Sequence, residues 1–196
     1  MAVDFDRFTR LLQRMERSQV AEFRDLVGCS VEEVLALESR YGLRLPRTYE
    51  LYLRVMGGES GRLLTCDHVS AFYSDVLTMT DGWRARRARM EAEPDDEGDP
   101  LPPFYLPDDA LLIADRLGEQ FEFVRCQGQD DSSVWYFNIW DYEIKVAHDS
   151  VLDWLESWCA QAEHAIAIGY YDCFPQGTRT RGGQINTSAW PLKERT

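Results

Sequence analysis

A pair of short, sharply bounded helices at residues 30–58 constrains this chain more than any other part of its sequence. Ser30 and Glu33 form a capping box, because each side chain can accept a hydrogen bond from the other residue's backbone N–H. Gly42 tolerates the left-handed backbone that ends a helix, and Pro46 favours an extended backbone at the residue before it. We therefore expect two helices held at a fixed angle. The buried stripe of the second is expected to comprise Tyr49, Tyr52, Leu53 and Met56.

The remainder of the chain shows helical periodicity near its ends and strand-like patterns between them. Helical spacing of apolar residues predicts helices over roughly 5–15, 76–83 and 151–168. The segment VWYFNI at 134–139 is nearly all aromatic or β-branched, which is typical of a central strand or of one covered on both faces. The predicted strands are Arg62–Cys66, Val69–Tyr73, Leu111–Ala114, Gln120–Phe123, Val134–Ile139 and Asp141–Val146.

The charge of the chain argues against two classes of partner. Its net charge is −13, and because the segment from residue 173 onward carries +3, residues 1–172 carry −16. Such a field repels nucleic acid and anionic membranes, whereas it attracts a basic protein. The N-terminal sequence MAVDFDRF lacks a basic region followed by an apolar run, and the five cysteines form no pairing pattern. We expect a cytoplasmic protein with reduced thiols.

The order of these motifs resembles the SUKH superfamily of Smi/Knr-like proteins. The similarity includes the capped helix, Leu45-Pro46-x-x-Tyr49, Gly57-Gly58, the aromatic strand Val134–Phe137 and Ser150-Val151-x-Asp153-Trp154-Leu155. The resemblance implies an α+β fold with a mixed or mainly antiparallel sheet flanked by helices. We expect residues 1–172 to form one such domain, with an N-terminal helix and an acidic insertion at 91–103, followed by a C-terminal tail at 173–196.

The resemblance also implies a function. Bacterial members are typically immunity proteins that bind and neutralise a toxin domain, and eukaryotic relatives are regulatory binding proteins. The expected partner is thus a cognate toxin domain, with a nuclease as one class that would suit a negatively charged inhibitor. The alternative is a non-catalytic regulatory or scaffold module for a housekeeping protein. The superfamily has no shared catalytic motif to transfer.

A third hypothesis is a hydrolase. The dipeptides Asp67-His68 and His148-Asp149 each offer a base beside an orienting carboxylate, but no Ser or Cys nucleophile signature accompanies them. No Cys/His spacing fits zinc, and no glycine-rich loop precedes a helix. We therefore expect no catalytic residues, no cofactor and no bound metal.

Two acidic connectors and one aromatic residue are the candidate contact points for a basic partner. An inhibitor of a nuclease can place carboxylates where phosphates would bind, and a few central aromatic side chains usually supply the affinity. Trp140 follows a predicted strand, so it is the best candidate for an exposed ring; the other aromatic residues nearby are expected in the core. The candidate set is Asp95, Asp96, Glu97, Asp99, Asp130, Asp131 and Trp140. A merely solvated acidic loop is the alternative for each acid.

Overall fold

The computed structural model describes residues 3–66, 68–92, 105–140 and 144–173. The helices are α1 (Phe5–Arg17), α2 (Val31–Tyr41), α3 (Arg47–Met56), α4 (Tyr73–Ala92), α5 (Val151–Ala167) and the short α6 (Tyr170–Cys173). The strands are β1 (Leu26–Val27), β2 (Glu59–Ser60), β3 (Val69–Ser70), β4 (Ala110–Arg116), β5 (Gln120–Arg125), β6 (Val134–Asn138) and β7 (Ile144–His148). The result is an α+β fold.

The helix pair begins and ends where the sequence predicts. The Ser30 hydroxyl accepts from the N–H of Glu33 at 3.1 Å, and the Glu33 carboxylate accepts from the N–H of Ser30 at 2.7 Å. Gly42 has φ +65°, the left-handed conformation that ends α2. The predicted stripe of α3 is fully buried, and Leu43 and Leu45 fill the elbow between the helices. These two helices form one wall of the larger core.

The main sheet is antiparallel throughout, with strand order β3-β4-β5-β6-β7. The two-stranded pair β1-β2 is also antiparallel. Each connection in the main sheet from β4 to β7 joins neighbouring strands, so β7 lies at one edge and β6 lies next to it. The sequence predicted a mixed or mainly antiparallel sheet, and the structure confirms the antiparallel alternative.

Side chains alternate between two cores on opposite faces of the sheet. On one face, Ile113 and Val124 join the larger core, which includes Trp154 of α5. On the other face, Phe121 and Phe137 pack on Trp83 of α4, with ring centroids 5.0 and 5.2 Å from the tryptophan ring. α4 therefore covers the face of the sheet opposite α5.

Of the predicted strands, the one at 62–66 does not form, and the one at 69–73 is longer than the strand observed. Residues 62–66 form a turn in which Leu63 and Leu64 are fully buried and Leu64 has φ +58°. The next prediction, 69–73, is reduced to the two residues of β3, because α4 already begins at Tyr73. Apolar content alone indicated burial here but did not distinguish a buried turn from a strand.

The aromatic strand is less covered than its composition suggests. Trp135 and Tyr136 of β6 are only half-buried, although Phe137 is buried. The cause is the exposed neighbouring strand β7, in which Ile144 and Val146 are 44% and 43% exposed. Residues 93–104 and 174–196, which include nearly all of the acidic insertion and tail, lie outside the described residues.

Candidate protein-binding surface

The end of the sheet at β6 and β7 exposes an apolar surface. In the strand register Trp135 lies opposite Val146, and Phe137 lies opposite Ile144, so these four side chains share one face. Phe137 is buried under α4, whereas Ile144 and Val146 extend past the covered region. Trp135 stacks on Phe123 at a centroid distance of 6.2 Å, which holds its ring in place.

Trp140 lies at the start of the connection from β6 to β7, two residues after the last residue of β6. Its backbone N–H donates to Asn138 Oδ1 at 2.9 Å, and its side chain is 71% exposed. Large exposed apolar side chains on two strands and the connection between them are typical of a protein-binding surface. We call Trp135, Trp140, Ile144 and Val146 together the β6–β7 surface.

The acidic candidates divide between two locations. Asp95, Asp96, Glu97 and Asp99 lie outside the described residues. Asp130 and Asp131 lie in the connector between β5 and β6, at the N-termini of two helices. Their role in binding a partner stays a prediction.

Asp130 and Asp131 also have structural contacts. The backbone carbonyl of Asp130 accepts from the N–H and the hydroxyl of Thr48 at 2.9 and 3.0 Å, at the start of α3. Asp131 Oδ1 accepts from the N–H of Val151, the first residue of α5, at 3.2 Å. Burial raises the pKa of Asp131 above its usual value. Of the two carboxylates, that of Asp130 is the more available to a partner, since among the described residues its ion pair is with the exposed Arg47, at 3.5 Å.

Of the two dipeptides with histidine and aspartate, His148-Asp149 lies wholly within the described residues and Asp67-His68 only in part. Asp67 lies outside the described residues, and His68 occupies a turn with φ +56°. His148 Nε2 lies 4.0 Å from Glu122 Oε1, and burial lowers the pKa of this imidazole. In the described ranges, no group of three or more His, Cys, Asp or Glu side chains is arranged to hold a metal ion.

Glu122 is a notable residue that sequence reasoning misses. It alternates with Phe121 and Phe123, which is typical of the solvent side of a strand, yet α5 lies over it. Its Oε2 accepts from the indole N–H of Trp154 at 2.7 Å. Burial raises the pKa of Glu122, although indole donation from Trp154 and Trp158 opposes that shift. The available signal was these two tryptophans one helical turn apart, because a buried indole N–H needs an acceptor.

Glu122 lines a small pocket between the sheet and α5. The pocket has a volume of about 90 Å³, and its walls include Arg116, Tyr136, Trp158 and Gln161. It opens on the face of the sheet opposite Trp135, Ile144 and Val146, since Glu122 pairs with Tyr136 in the register. The sheet thus offers a partner an apolar surface on one side and a polar, aromatic pocket on the other.

Comparison with known proteins identifies one family. Residues 28–157 match the SMI1 / KNR4 family (SUKH-1), a span that runs from just before α2 into α5. Helix α1 and the last part of α5 fall outside the match. No match was found among curated proteins. None of the described helices is both long and apolar enough to cross a membrane. Because the match covers well over half of the chain, the chain belongs to the SMI1 / KNR4 family (SUKH-1).

Proposed function

We propose that this chain is a bacterial immunity protein that binds a cognate toxin domain in the cytoplasm and blocks its active site. Proteins of this family commonly have that role, and they act by binding rather than by catalysis. The observation that carries the proposal is the exposed β6–β7 surface on a chain of this family, with Trp140 71% exposed. An apolar surface with an aromatic anchor is what tight association with a protein requires.

Charge supports a basic partner. The chain carries −13, and acids at the rim of an interface raise the rate of encounter more than they raise affinity. In this proposal the candidate acids steer the toxin, while the β6–β7 surface supplies most of the binding free energy. The mechanism is steric occlusion, and no residue of this chain enters a reaction.

The first experiment tests whether the chain protects a cell. The gene is expressed beside its genomic neighbours, and each neighbour is then expressed without it. We expect one neighbour to become lethal when this gene is removed, and the two products to co-purify as a stable complex. Co-purification with a non-toxic housekeeping protein, without any lethal neighbour, would instead favour the regulatory module and reject the immunity role.

The second experiment locates the interface. Trp140→Ala should weaken toxin binding by at least about 30-fold, as expected for an aromatic anchor at the centre of an interface. Phe5→Ala is the matched control, because Phe5 is 59% exposed on α1 and remote in sequence from the surface. Calorimetric titration of the purified toxin with each variant measures the change. Equal affinities for the two variants would exclude the β6–β7 surface as the binding site.

A third experiment tests the role of the acids in steering. Asp131 is left intact in the test variant because its carboxylate caps α5. The variant changes the other five to their amides: Asp95, Asp96, Glu97, Asp99 and Asp130. Stopped-flow association should be slower than wild type at low salt and less dependent on ionic strength. An unchanged association rate would show that these acids are solvated and outside the contact region.

A further inference from the structure

Strand β7 forms an open edge of the main sheet. It pairs with β6 on one side, and it ends the strand order β3-β4-β5-β6-β7. Four of its five residues, those at 144–147, are exposed. The opposite edge differs, because β3 has only two residues and α4 begins soon after it, at Tyr73. A very short strand is one way in which proteins protect a sheet edge, whereas β7 is longer and contains neither proline nor an acidic residue.

The direction of the backbone groups of β7 follows from a hydrogen bond just beyond the ends of β5 and β6. The N–H of Ile139 donates to the carbonyl of Glu119 at 2.9 Å, so these two residues form a hydrogen-bonded pair. Such pairs recur at every second residue of an antiparallel ladder, so Phe137 also points its backbone groups towards β5. Tyr136 therefore points its backbone groups towards β7, where its partner is Lys145.

The residues on either side of Lys145 consequently direct their backbone N–H and C=O groups away from β6. These residues are Ile144 and Val146, and the shift of register between β6 and β7 lies beyond Val146. Their outward backbone groups make no hydrogen bond to another described part of the chain. Their side chains are 44% and 43% exposed. The same two residues thus present both open backbone groups and exposed apolar side chains.

We propose that β7 binds an extended segment of the protein partner, which adds a sixth strand to the main sheet. This inference deepens the proposed function and rests on it, because it requires the protein partner proposed there. The backbone groups of Ile144 and Val146 make the main-chain hydrogen bonds, and alternate side chains of the added strand contact the two apolar side chains. Opposite Lys145, an acidic or neutral polar residue of the partner fits, because like charges directly opposite each other are destabilising.

The charge of the chain favours a basic partner over a second copy of this chain as the occupant of the edge. Two copies would each carry −13 and repel each other, whereas a basic protein is attracted. The edge is also continuous with the β6–β7 surface, because a strand added beside β7 extends the apolar face that Trp135, Ile144 and Val146 share. Self-association of the free chain is the competing outcome.

Two proline variants of the free protein test the direction of the backbone groups. Proline has no N–H, and an edge strand tolerates it where the N–H faces solvent. Val146→Pro should therefore melt close to its side-chain control, Val146→Ala. Lys145→Pro removes a hydrogen bond to β6 and should melt at least about 5 °C below Val146→Pro. Equal melting temperatures for the two proline variants, or a lower one for Val146→Pro, would overturn the proposal.

Hydrogen exchange in the complex tests the added strand directly. The ¹⁵N-labelled chain is followed by NMR, alone and with the unlabelled toxin domain. The Val146 amide should exchange at least about 100-fold more slowly in the complex, while the Lys145 amide is protected in both states. A Val146 amide that exchanges equally fast in both states overturns strand addition, and the immunity role stands. Protection of this amide in the free chain that grows with its concentration assigns the edge to a second copy and also overturns the proposal.

Calorimetric titration of the toxin domain separates main-chain hydrogen bonds from side-chain contacts. Val146→Pro should bind about tenfold more weakly than Val146→Ala, because only the proline removes the outward donor. Equal affinities of these two variants would contradict main-chain pairing. If the co-purified partner is a non-toxic housekeeping protein, the immunity role fails, and the same exchange measurement on that complex decides whether β7 gains a strand. If no protein binds, both proposals fail.

Discussion

Helix α1 precedes the span that matches the family, and it is held to the domain by two kinds of contact whose strengths differ. Phe8, Leu11 and Met15 are buried, with Leu11 only 2% exposed. On the same helix, the Arg7 guanidinium donates to both carboxylate oxygens of Glu156 at 2.8 Å. Its third bond reaches Asp153 at 2.5 Å. The question is whether apolar burial or the ion pairs keep α1 in place.

The magnitudes favour burial. Leu11→Ala leaves a cavity in the larger core and should lower the free energy of unfolding by about 3–5 kcal/mol. Arg7 and its two partners are 28–35% exposed, so water and salt screen the ion pairs. Two partly exposed pairs contribute about 1 kcal/mol together. Arg7→Ala should therefore lower the free energy of unfolding by no more than about one third of the loss caused by Leu11→Ala.

Urea unfolding followed by circular dichroism measures both costs. At 1 M NaCl, where the screening length is about 3 Å, the cost of Arg7→Ala should fall by roughly half, while that of Leu11→Ala should not decrease. Arg10→Ala is the control, because Arg10 is exposed on the same helix, and it should change stability by less than about 0.5 kcal/mol. If Arg7→Ala is as costly as Leu11→Ala, or its cost is independent of salt, the assignment of α1 docking to apolar burial is refuted.

Three other predictions concern the core. The Tyr49 hydroxyl is buried and lacks a hydrogen-bond partner among the described residues, so Tyr49→Phe should leave the stability in thermal unfolding unchanged or raise it. The control Tyr52→Phe loses a hydrogen bond to a backbone carbonyl and should lower the free energy of unfolding by about 1 kcal/mol. In urea unfolding, Gly28→Ala should destabilise the protein more than Gly42→Ala, because a Cβ at Gly28 would lie 1.9 Å from a backbone oxygen. A Cβ at Gly42 has space, so Gly42→Ala should lower the free energy of unfolding by only about 1–2 kcal/mol, for its left-handed backbone. Burial raises the pKa of the Cys126 thiol to about 12, so iodoacetamide at pH 8 should label this thiol only after the protein unfolds. Peptide mass mapping measures the labelling, and equal rates in the native and unfolded protein would contradict the burial of Cys126.

The limits of α2 and the identity of the family were readable from the sequence because they depend on local chemistry, whereas α4 extends over Tyr73–Ala92, well beyond the predicted 76–83. A capping box needs only Ser30 and Glu33 three residues apart, and a left-handed helix end needs only Gly42. The order of such motifs along the chain was enough to indicate the family. Trp140 also followed from local position, because it comes just after an apolar strand, and the structure finds it exposed.

Which face of the sheet each helix covers was decided only by the tertiary structure. Period-two alternation separates the two faces of a strand but does not say what lies over either face. Ile144 and Val146 alternate like core residues, yet α4 does not reach them, and they remain exposed. Glu122 alternates like a solvent-facing residue, yet α5 covers it, and its carboxylate accepts from Trp154 of that helix and lines a small pocket. Both results depend on the paths of distant helices across the sheet, and no short stretch of sequence contains that information.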